Sequence, residues 1–260
     1  MNIKNEFSLD KYQNSIKVHP NFLFRGQSNF SWSLTPSFTR IANKKNLSRK
    51  KALQLEIEMT GKFSVEAIGV LDIRNSIKLI VDSTRFEQNQ IEADGWFTFM
   101  QHYSCPTRIL DWSVSPYVAL YFACQDDSVD GSFWISDFWE NTNYSENAIN
   151  GQNRRELLFS DSSDENIFFM KAMDPNERIH AQQSRFSICT NILNSHEPYL
   201  KNHAKLEKII VKKEIKNQIL EELHSMNISA KTLFPGIDGI GRYLNEYCNL
   251  WDQTSIINSH

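Results

Sequence analysis

Residues 116–124 constrain the fold of this chain more than any other segment. They read Pro-Tyr-Val-Ala-Leu-Tyr-Phe-Ala-Cys and contain no charged side chain. Pro116 suits the first turn of a helix, where its missing N–H would have no intrahelical partner, and Ser113 or Ser115 could provide the N-cap. A helix that is apolar on nearly all sides is buried. We therefore expect a helix here that lies in the protein interior.

Strand and helix patterns alternate irregularly through the rest of the chain. Short apolar runs predict strands at residues 22–25, 132–136, 166–172, 206–211 and 228–234. Helical spacing of apolar residues predicts helices over residues 48–71, 85–101, 214–226 and 237–247. Residues 32–40 are expected to be extended, because Pro36 is excluded from a helix interior. The mixture predicts a single α+β domain over residues 1–260, and the polar residues 140–165 are interpreted as a loop or insertion.

Composition and charge argue against several classes of protein. The formal net charge is −3 at pH 7, so no overall positive field attracts nucleic acid or an anionic membrane, although a local basic groove is compatible with it. We find neither a signal-peptide pattern nor an apolar run long enough to cross a bilayer, so we expect no membrane partner. The cysteines lack metal-ligand spacing, and we expect free thiols in a reducing cytoplasm. They are Cys105, Cys124, Cys189 and Cys248.

The triplet Phe24-Arg25-Gly26 is the first candidate for a binding site. Gly26 has no Cβ, so a ligand or another backbone could approach it closely. An arginine at a strand end beside such a glycine offers a planar fork of donors that suits a diphosphate. The alternative interpretation is that Arg25 takes part in a structural ion pair.

Residues 101–113 form a second candidate, because they concentrate titratable groups and hydroxyls directly before the apolar helix. Polar density beside an apolar anchor is how a rigid scaffold presents a site. The alternative is a hydrogen-bonded polar loop in which Arg108 pairs with Asp111. The candidate side chains are His102, Tyr103, Thr107, Arg108, Asp111 and Trp112.

A third candidate is the segment 176–188, which we interpret as a strand. Alternation would then place Arg178, His180 and Gln182 on one side and the intervening residues Glu177, Ile179, Ala181 and Gln183 on the other. Glu177 is the carboxylate of this segment, and a surface glutamate is the alternative interpretation.

Other chemical motifs are absent from the sequence. His180, His196 and His203 lack the tight spacing of metal ligands, so no metal site is predicted. The sequence contains no Gly-rich phosphate loop, no Gly-x-Ser-x-Gly and no His-Glu-x-x-His. The lysines within 44–51 and 205–216 indicate solvated helix faces or, alternatively, contacts with nucleic acid.

Taken in order, these segments resemble the FRG domain family, which is named for its Phe-Arg-Gly motif. The resemblance covers about residues 20–245, and the family's usual glycines are replaced here by Ser104 and Ser184. The matching stretches are Phe24-Arg25-Gly26-Gln27, Gln101-His102-Tyr103, Pro106–Trp112, Ala119–Ala123, Arg178–Gln183 and Leu233–Gly239.

The chain is also more distantly similar to arginine-type mono-ADP-ribosyltransferases. These enzymes show Arg-Gly on a first strand, then a Ser-Thr-Ser strand that runs into an Ala-x-x-Phe-Ala helix, and a glutamate on a later strand. Here Asp111-Trp112-Ser113 stands in place of Ser-Thr-Ser, and Glu177 precedes Phe186 much as that glutamate precedes an aromatic residue. Gln183 could occupy the glutamate's position instead. The resemblance implies a split β-sandwich with peripheral helices.

The resemblance implies a bacterial-type toxin or antiviral defence effector that transfers ADP-ribose from NAD, as a substrate, to a macromolecule. RNA or DNA is favoured over protein as the acceptor, and an antitoxin or neutralising protein is a further partner. Glu177, Asp111 and Gln183 are the catalytic candidates. The residues implied in NAD binding are Arg25, Gly26, Gln27, His102, Tyr103, Thr107, Arg108 and Trp112. The alternatives are a nuclease or other hydrolase that uses Asp111 and His102, and a non-catalytic nucleotide-binding module.

Overall fold

A six-stranded antiparallel sheet organises the part of the chain that the computed structural model describes, namely residues 22–70, 92–137, 158, 165–170 and 177–250. Its strand order is β4-β5-β2-β1-β3-β6. The strands are β1 (Phe22–Gln27), β2 (Ile109–Ser113), β3 (Gly131–Asp137), β4 (Ile167–Met170), β5 (Ser184–Cys189) and β6 (Leu206–Val211). Strands and helices are mixed along one chain, which confirms the α+β class.

Helices of very different lengths connect and cover these strands. A 3-10 turn, Lys213–Ile215, precedes the seventh helix. The helices are α1 (Ser37–Lys44), α2 (Arg49–Val70), α3 (Glu92–His102), α4 (Pro116–Ala123), α5 (Glu177–Ala181), α6 (His196–His203), α7 (Lys216–Ser225), α8 (Ala230–Leu233) and α9 (Ile237–Leu250). No described helix combines the length and the apolar composition needed to span a bilayer.

Helix α4 is the buried helix that the sequence predicts. Ser115, rather than Ser113, is its N-cap and accepts a hydrogen bond from the backbone N–H of Val118. A Cβ at Gly26 would lie 1.7 Å from the carbonyl oxygen of Ala119, because α4 crosses β1 at this point. Of the two predicted uses of Gly26, close approach of another backbone is therefore the one found.

The two faces of β1 contribute to different hydrophobic clusters, as strand alternation requires. Phe24 packs on the α4 face together with Phe133, Leu220 and Phe234. Leu23 packs on the opposite face, in a cluster that contains Leu110, Trp112, Trp134, Tyr199 and Leu200. The sheet therefore lies between two layers of buried apolar side chains.

Two predicted extended segments are helical instead. Residues 32–40 were expected to be extended, but α1 begins at Ser37, directly after Pro36. Proline is excluded from a helix interior but not from the position that precedes it. The strand predicted at 228–234 is wrong, because α8 begins at Ala230. Ser229 and Thr232 form a capping box there, which favours a helix start over a strand.

The strand interpretation of residues 177–183 is also wrong. Glu177–Ala181 form α5, and β5 begins only at Ser184. Gln183 has a φ of 50°, a left-handed conformation that turns the chain from the helix into the strand. The predicted alternation of side chains therefore does not apply, and Glu177 does not lie on a strand.

The strands predicted at residues 22–25, 132–136 and 206–211 are confirmed as β1, β3 and β6. The helix predicted at 48–71 is seen as α2 and the strand predicted at 166–172 as β4, while residues 71, 171 and 172 lie outside the described part. Residues 214–226 form the 3-10 turn and α7, and residues 237–247 lie within α9. The predicted helix at 85–101 is seen as α3, while residues 85–91 lie outside the described part. The predicted loop at 140–165 also lies outside it, apart from Leu158 and Glu165.

Candidate functional site

A cavity of about 230 Å³ lies where β1, β2 and β5 meet α3, α4 and α5. Its apolar wall includes Phe24, Val118, Phe122, Ile179 and Phe186. Its polar lining residues are Arg25, Thr98, Gln101, His102, Asp111, Ser113, Arg178, Gln182 and Ser184. The cavity thus combines two guanidinium groups with one carboxylate, as far as the described lining residues are concerned.

Arg25 lines the cavity at the point where the backbone pairing between β1 and β2 ends. These strands share the single register pair Phe24–Ser113, whereas β1 and β3 are paired from Phe22 to Gln27. Beyond that pair, Nη1 of Arg25 donates a hydrogen bond of 2.5 Å to the backbone carbonyl of Asp111. A side-chain donor therefore bridges the two strands at the cavity wall.

The guanidinium of Arg25 is mostly buried and incompletely paired. Its side chain is 19% exposed, and Nη1 lies 3.8 Å from Oδ2 of Asp111. Its buried Nε has no hydrogen-bond partner among the described residues. Burial lowers the pKa of Arg25, and the nearby Asp111 acts in the opposite direction. A bound anion would supply the missing acceptor.

Asp111 is oriented by a chain of two side-chain hydrogen bonds. The buried hydroxyl of Thr107 donates to Oε1 of Gln101, and Nε2 of Gln101 donates to Oδ2 of Asp111. Because the amide oxygen of Gln101 accepts the hydrogen bond from Thr107, the amide nitrogen of Gln101 faces the carboxylate of Asp111 and donates to it. The Asp111 side chain is still 49% exposed, so it keeps acceptor capacity for a ligand.

Arg178 supplies the second guanidinium, from α5. Its Nη1 donates to the backbone carbonyl of His102 at 3.2 Å, and its guanidinium lies 4.7 Å from the ring centroid of Phe234. Burial lowers the pKa of Arg178, and Asp111 opposes this shift. Burial, followed by the charge of Arg178, lowers the pKa of His102, which favours a neutral imidazole in the cavity.

The junction between α5 and β5 forms another part of the cavity wall. Ser113 donates to the backbone carbonyl of Gln182 at 2.8 Å, which ties the end of β2 to this junction. Nε2 of Gln182 donates to the carbonyl of Leu233 at 3.0 Å, which ties it to α8. The start of β5 therefore places an amide and the hydroxyl of Ser184 at the cavity, and the exposed Gln183 lies outside the lining.

Five of the candidate residues line the cavity: Arg25, Gly26, His102, Asp111 and Trp112. The Trp112 side chain itself belongs to the core, since the residue is 2% exposed and its Nε1 donates to Ser187 Oγ at 2.8 Å. It is therefore not available to stack on a ligand in this structure.

The other six candidates lie outside the lining. Gln27 accepts from Nε1 of Trp134 in the core, and Thr107 acts on the cavity only through Gln101. Tyr103 is exposed at the end of α3, with its ring 4.8 Å from that of His102. Glu177 and Gln183 are also exposed.

Arg108 is the sixth candidate outside the cavity lining. The predicted pair between Arg108 and Asp111 is wrong. Arg108 pairs instead with Glu56 of α2, through Nε at 2.8 Å from Oε1 and through Nη2 to Oε2. Both side chains are 1% exposed. Arg108 and Asp111 are three positions apart, an odd spacing that places them on opposite sides of an extended chain.

The candidate list omitted six polar lining residues: Thr98, Gln101, Ser113, Arg178, Gln182 and Ser184. A signal for two of them was present in the sequence. Arg178 and Gln182 are four residues apart, a spacing that places both side chains on one side in a strand and in a helix alike. Among the described residues, no group of three or more His, Cys, Asp or Glu side chains is arranged to hold a metal ion.

Comparison with known proteins identifies one family. The FRG domain model matches residues 20–131, a span that contains β1, α3, β2 and α4, and so contributes Arg25, Gln101, His102 and Asp111 to the cavity. No curated protein and no solved structure matches the chain.

Proposed function

Because residues 20–131 form an FRG domain, and because this domain supplies most of the charged cavity, we propose that the chain is a mono-ADP-ribosyltransferase that uses NAD. The observation that carries the proposal is the set of charged and hydrogen-bonding groups around the carboxylate of Asp111. This carboxylate lines the cavity, and its Oδ2 lies 3.8 Å from Nη1 of Arg25. It also interacts electrostatically with Arg178, and Gln101 orients it.

We assign the two arginines to the diphosphate of NAD. A guanidinium presents a planar set of donors that matches phosphoryl oxygens. Arg25 has a buried donor without a partner among the described residues, and Arg178 approaches from the other side of the cavity. The apolar wall, which includes Phe24 and Phe122, offers surface for a flat ring.

We assign Asp111 to the reacting ribose. Cleavage of the nicotinamide–ribose bond passes through a positively charged, oxocarbenium-like state, as in glycoside cleavage. A fixed carboxylate stabilises that charge, and Gln101 holds it in place before the reaction begins. The bonding electrons leave with nicotinamide, which becomes neutral. An oxygen or nitrogen of the acceptor forms the new bond to the ribose carbon and loses its proton, for which neutral His102 is the base in this scheme.

The sheet supports the proposal of an ADP-ribosyltransferase-like split β-sandwich. Arg25 and Gly26 lie on the first described strand, and β2 leads directly into the helix that carries Ala119–Ala123. The single register pair between β1 and β2 marks the opening in the sheet. In this assignment Gln182, which lies between α5 and β5 and lines the cavity, takes the place of the enzymes' glutamate instead of Glu177 or Gln183.

We favour nucleic acid as the acceptor. The exposed aromatic residues that could stack on bases include Trp32 and Tyr103, and Tyr103 adjoins His102 at the cavity. A cytoplasmic toxin or defence effector, controlled by an antitoxin, is the biological role that we propose for this activity.

The decisive experiment is incubation of the purified chain with NAD labelled in its adenylate half and a cell lysate. We expect label to appear on a macromolecule and to be released by nuclease rather than by protease. Release by protease would identify a protein acceptor. If NAD is consumed without labelling, the chain is a glycohydrolase. If no label is transferred and no NAD is consumed, the proposal is contradicted. Degradation of nucleic acid in the absence of NAD would favour a nuclease.

Replacing Arg25 tests its assignment to the diphosphate. Loss of a hydrogen-bonded charge is worth about 1.5–3 kcal/mol, so we expect Arg25→Ala to weaken NAD binding roughly 10- to 100-fold. Arg25→Lys should restore little of it, because an ammonium group lacks the planar fork. Isothermal titration calorimetry measures both variants.

Lys201→Ala is the control, because Lys201 is an exposed cation on α6 and lies outside the cavity lining. It should leave NAD affinity unchanged. If Arg25→Ala lowers the melting temperature but not the affinity, Arg25 only bridges β1 and β2.

A further inference from the structure

Helix α5 depends on its neighbours for its position. It has five residues, and none of them is buried. So short a helix is not stable alone, because most helical stability in proteins comes from tertiary packing. Yet α5 carries Arg178, and Gln182 follows it directly; both line the cavity. Contacts with other elements therefore decide where these two side chains lie.

Hydrogen bonding alone does not fix the guanidinium of Arg178. Within the described part of the chain it makes one hydrogen bond, from Nη1 to the backbone carbonyl of His102 at 3.2 Å, and it forms no salt bridge there. Asp111 and Asp238 act on Arg178 only over longer distances. The guanidinium thus keeps donors for a ligand, and another contact has to hold it at the cavity.

The ring of Phe234, directly after α8, provides that contact. The guanidinium carbon of Arg178 lies 4.7 Å from the ring centroid. A cation within about 6 Å of an aromatic centroid is attracted to the face of the ring, and more strongly where water is excluded. Phe234 is 6% exposed, and Arg242 of α9 contacts the same ring at 4.6 Å. The contact with Arg178 is therefore largely shielded from solvent.

Phe234 is itself held by packing and does not line the cavity. Its ring lies 6.1 Å from that of Phe122, which is part of the cavity wall. A Cβ at Gly239 would lie 1.8 Å from the carbonyl oxygen of Phe234, so α9 packs directly against this backbone. Glu246 of α9 also accepts the backbone N–H of Ala230 at 3.2 Å, which ties α8 to α9.

The end of α8 contacts both lining residues of the α5–β5 junction. The carbonyl of Leu233 accepts the hydrogen bond from Gln182 at 3.0 Å, and the next residue, Phe234, contacts Arg178. Two consecutive residues thus support the two side chains. Both lie outside the span 20–131 that the FRG domain model matches.

We propose that Phe234 is a positioning residue of the cavity, whose ring holds the guanidinium of Arg178 beside His102 and ready to bind an anion. The positioning of Arg178 does not depend on which ligand the cavity takes. Only its consequence for NAD binding rests on the proposed function.

The pKa of His102, followed by NMR and assigned with His102→Gln, reports the position of Arg178. The charged residues that line the cavity with His102 are Arg25, Asp111 and Arg178. Burial, followed by the charge of Arg178, lowers the pKa of His102. Arg178→Gln should therefore raise this pKa, because imidazolium no longer meets a nearby positive charge. Phe234→Leu should also raise it, since leucine has no aromatic face to hold the guanidinium.

Phe38→Leu is the control for the loss of a buried ring. Phe38 is 1% exposed, and its cluster contains none of the residues that line the cavity. It should leave the pKa of His102 unchanged. Phe234→Met replaces Phe234→Leu if the leucine variant does not fold, which its melting temperature shows.

The double variant with Arg178→Gln and Phe234→Leu separates positioning from packing. If the ring acts through Arg178, Phe234→Leu should not raise the pKa of His102 further once Arg178 is gone. Phe234→Leu alone should also weaken NAD binding about 3- to 10-fold. Failure of the unaltered chain to bind NAD would contradict the proposed function and leave the pKa test intact. An unchanged pKa in Arg178→Gln or Phe234→Leu, or an equal rise from Phe234→Leu with and without Arg178, would overturn the role given to Phe234.

Discussion

Asp111→Asn is expected to reduce ADP-ribosyl transfer by about 10²- to 10³-fold, the cost typical of removing a group that stabilises transition-state charge. Asparagine keeps the size of the side chain but lacks the negative charge that offsets the oxocarbenium-like state. NAD binding should change much less, because Arg25 and Arg178 remain in place. Single-turnover rates with labelled NAD, together with binding measured separately, distinguish the two effects.

Glu177→Gln is the control for this experiment. Glu177 is the competing carboxylate predicted from the sequence, but it is exposed at the start of α5 and does not line the cavity. We expect the Glu177→Gln enzyme to keep a nearly full rate. The opposite pattern, in which Glu177→Gln is inactive and Asp111→Asn is active, would remove Asp111 from the mechanism.

Glu56→Ala is expected to lower the free energy of unfolding by about 3–5 kcal/mol, because it leaves the buried guanidinium of Arg108 without its counter-charge. Oε1 and Oε2 of Glu56 lie 2.8 Å and 3.0 Å from Nε of Arg108, and the remaining contacts of Arg108 include the carbonyl of Leu158 at 2.9 Å. Urea unfolding followed by circular dichroism measures the loss.

Glu197→Ala provides the comparison, since Glu197 pairs with Lys201 on the surface of α6. We expect it to cost less than about 1 kcal/mol. A double variant, Glu56→Met with Arg108→Met, should be more stable than Glu56→Ala alone, because no unpaired charge remains buried. Similar losses for the Glu56 and Glu197 substitutions would show that the buried pair contributes no more than a surface pair.

The misassigned partner of Arg108 illustrates the limit of local patterns. Asp111 is close to Arg108 in sequence, and pairing them required no knowledge of the fold. Glu56 lies 52 residues away on α2, and it meets Arg108 only after α2 has packed against the start of β2. Long-range side-chain partners depend on tertiary packing, so a single sequence does not reveal them.

The α5–β5 segment shows a second limit. Residues 177–183 are compatible with both strand alternation and helical spacing over so short a length. The left-handed turn at Gln183 and the hydrogen bond from Gln182 to Leu233 decide between them. In the observed arrangement Arg178 and Gln182 line the cavity, and the exposed Glu177 does not.

The sequence by itself determined the buried helix α4, the close approach that Gly26 permits, and the family motifs around Arg25 and Asp111. These follow from local properties, namely an uninterrupted apolar run, a residue without a Cβ and a fixed order of short motifs. Only the tertiary structure decided which polar groups share the cavity, which arginine is structural and which carboxylate lines the cavity. Those relations join residues far apart in the chain, and they arise when the sheet and its helices pack together.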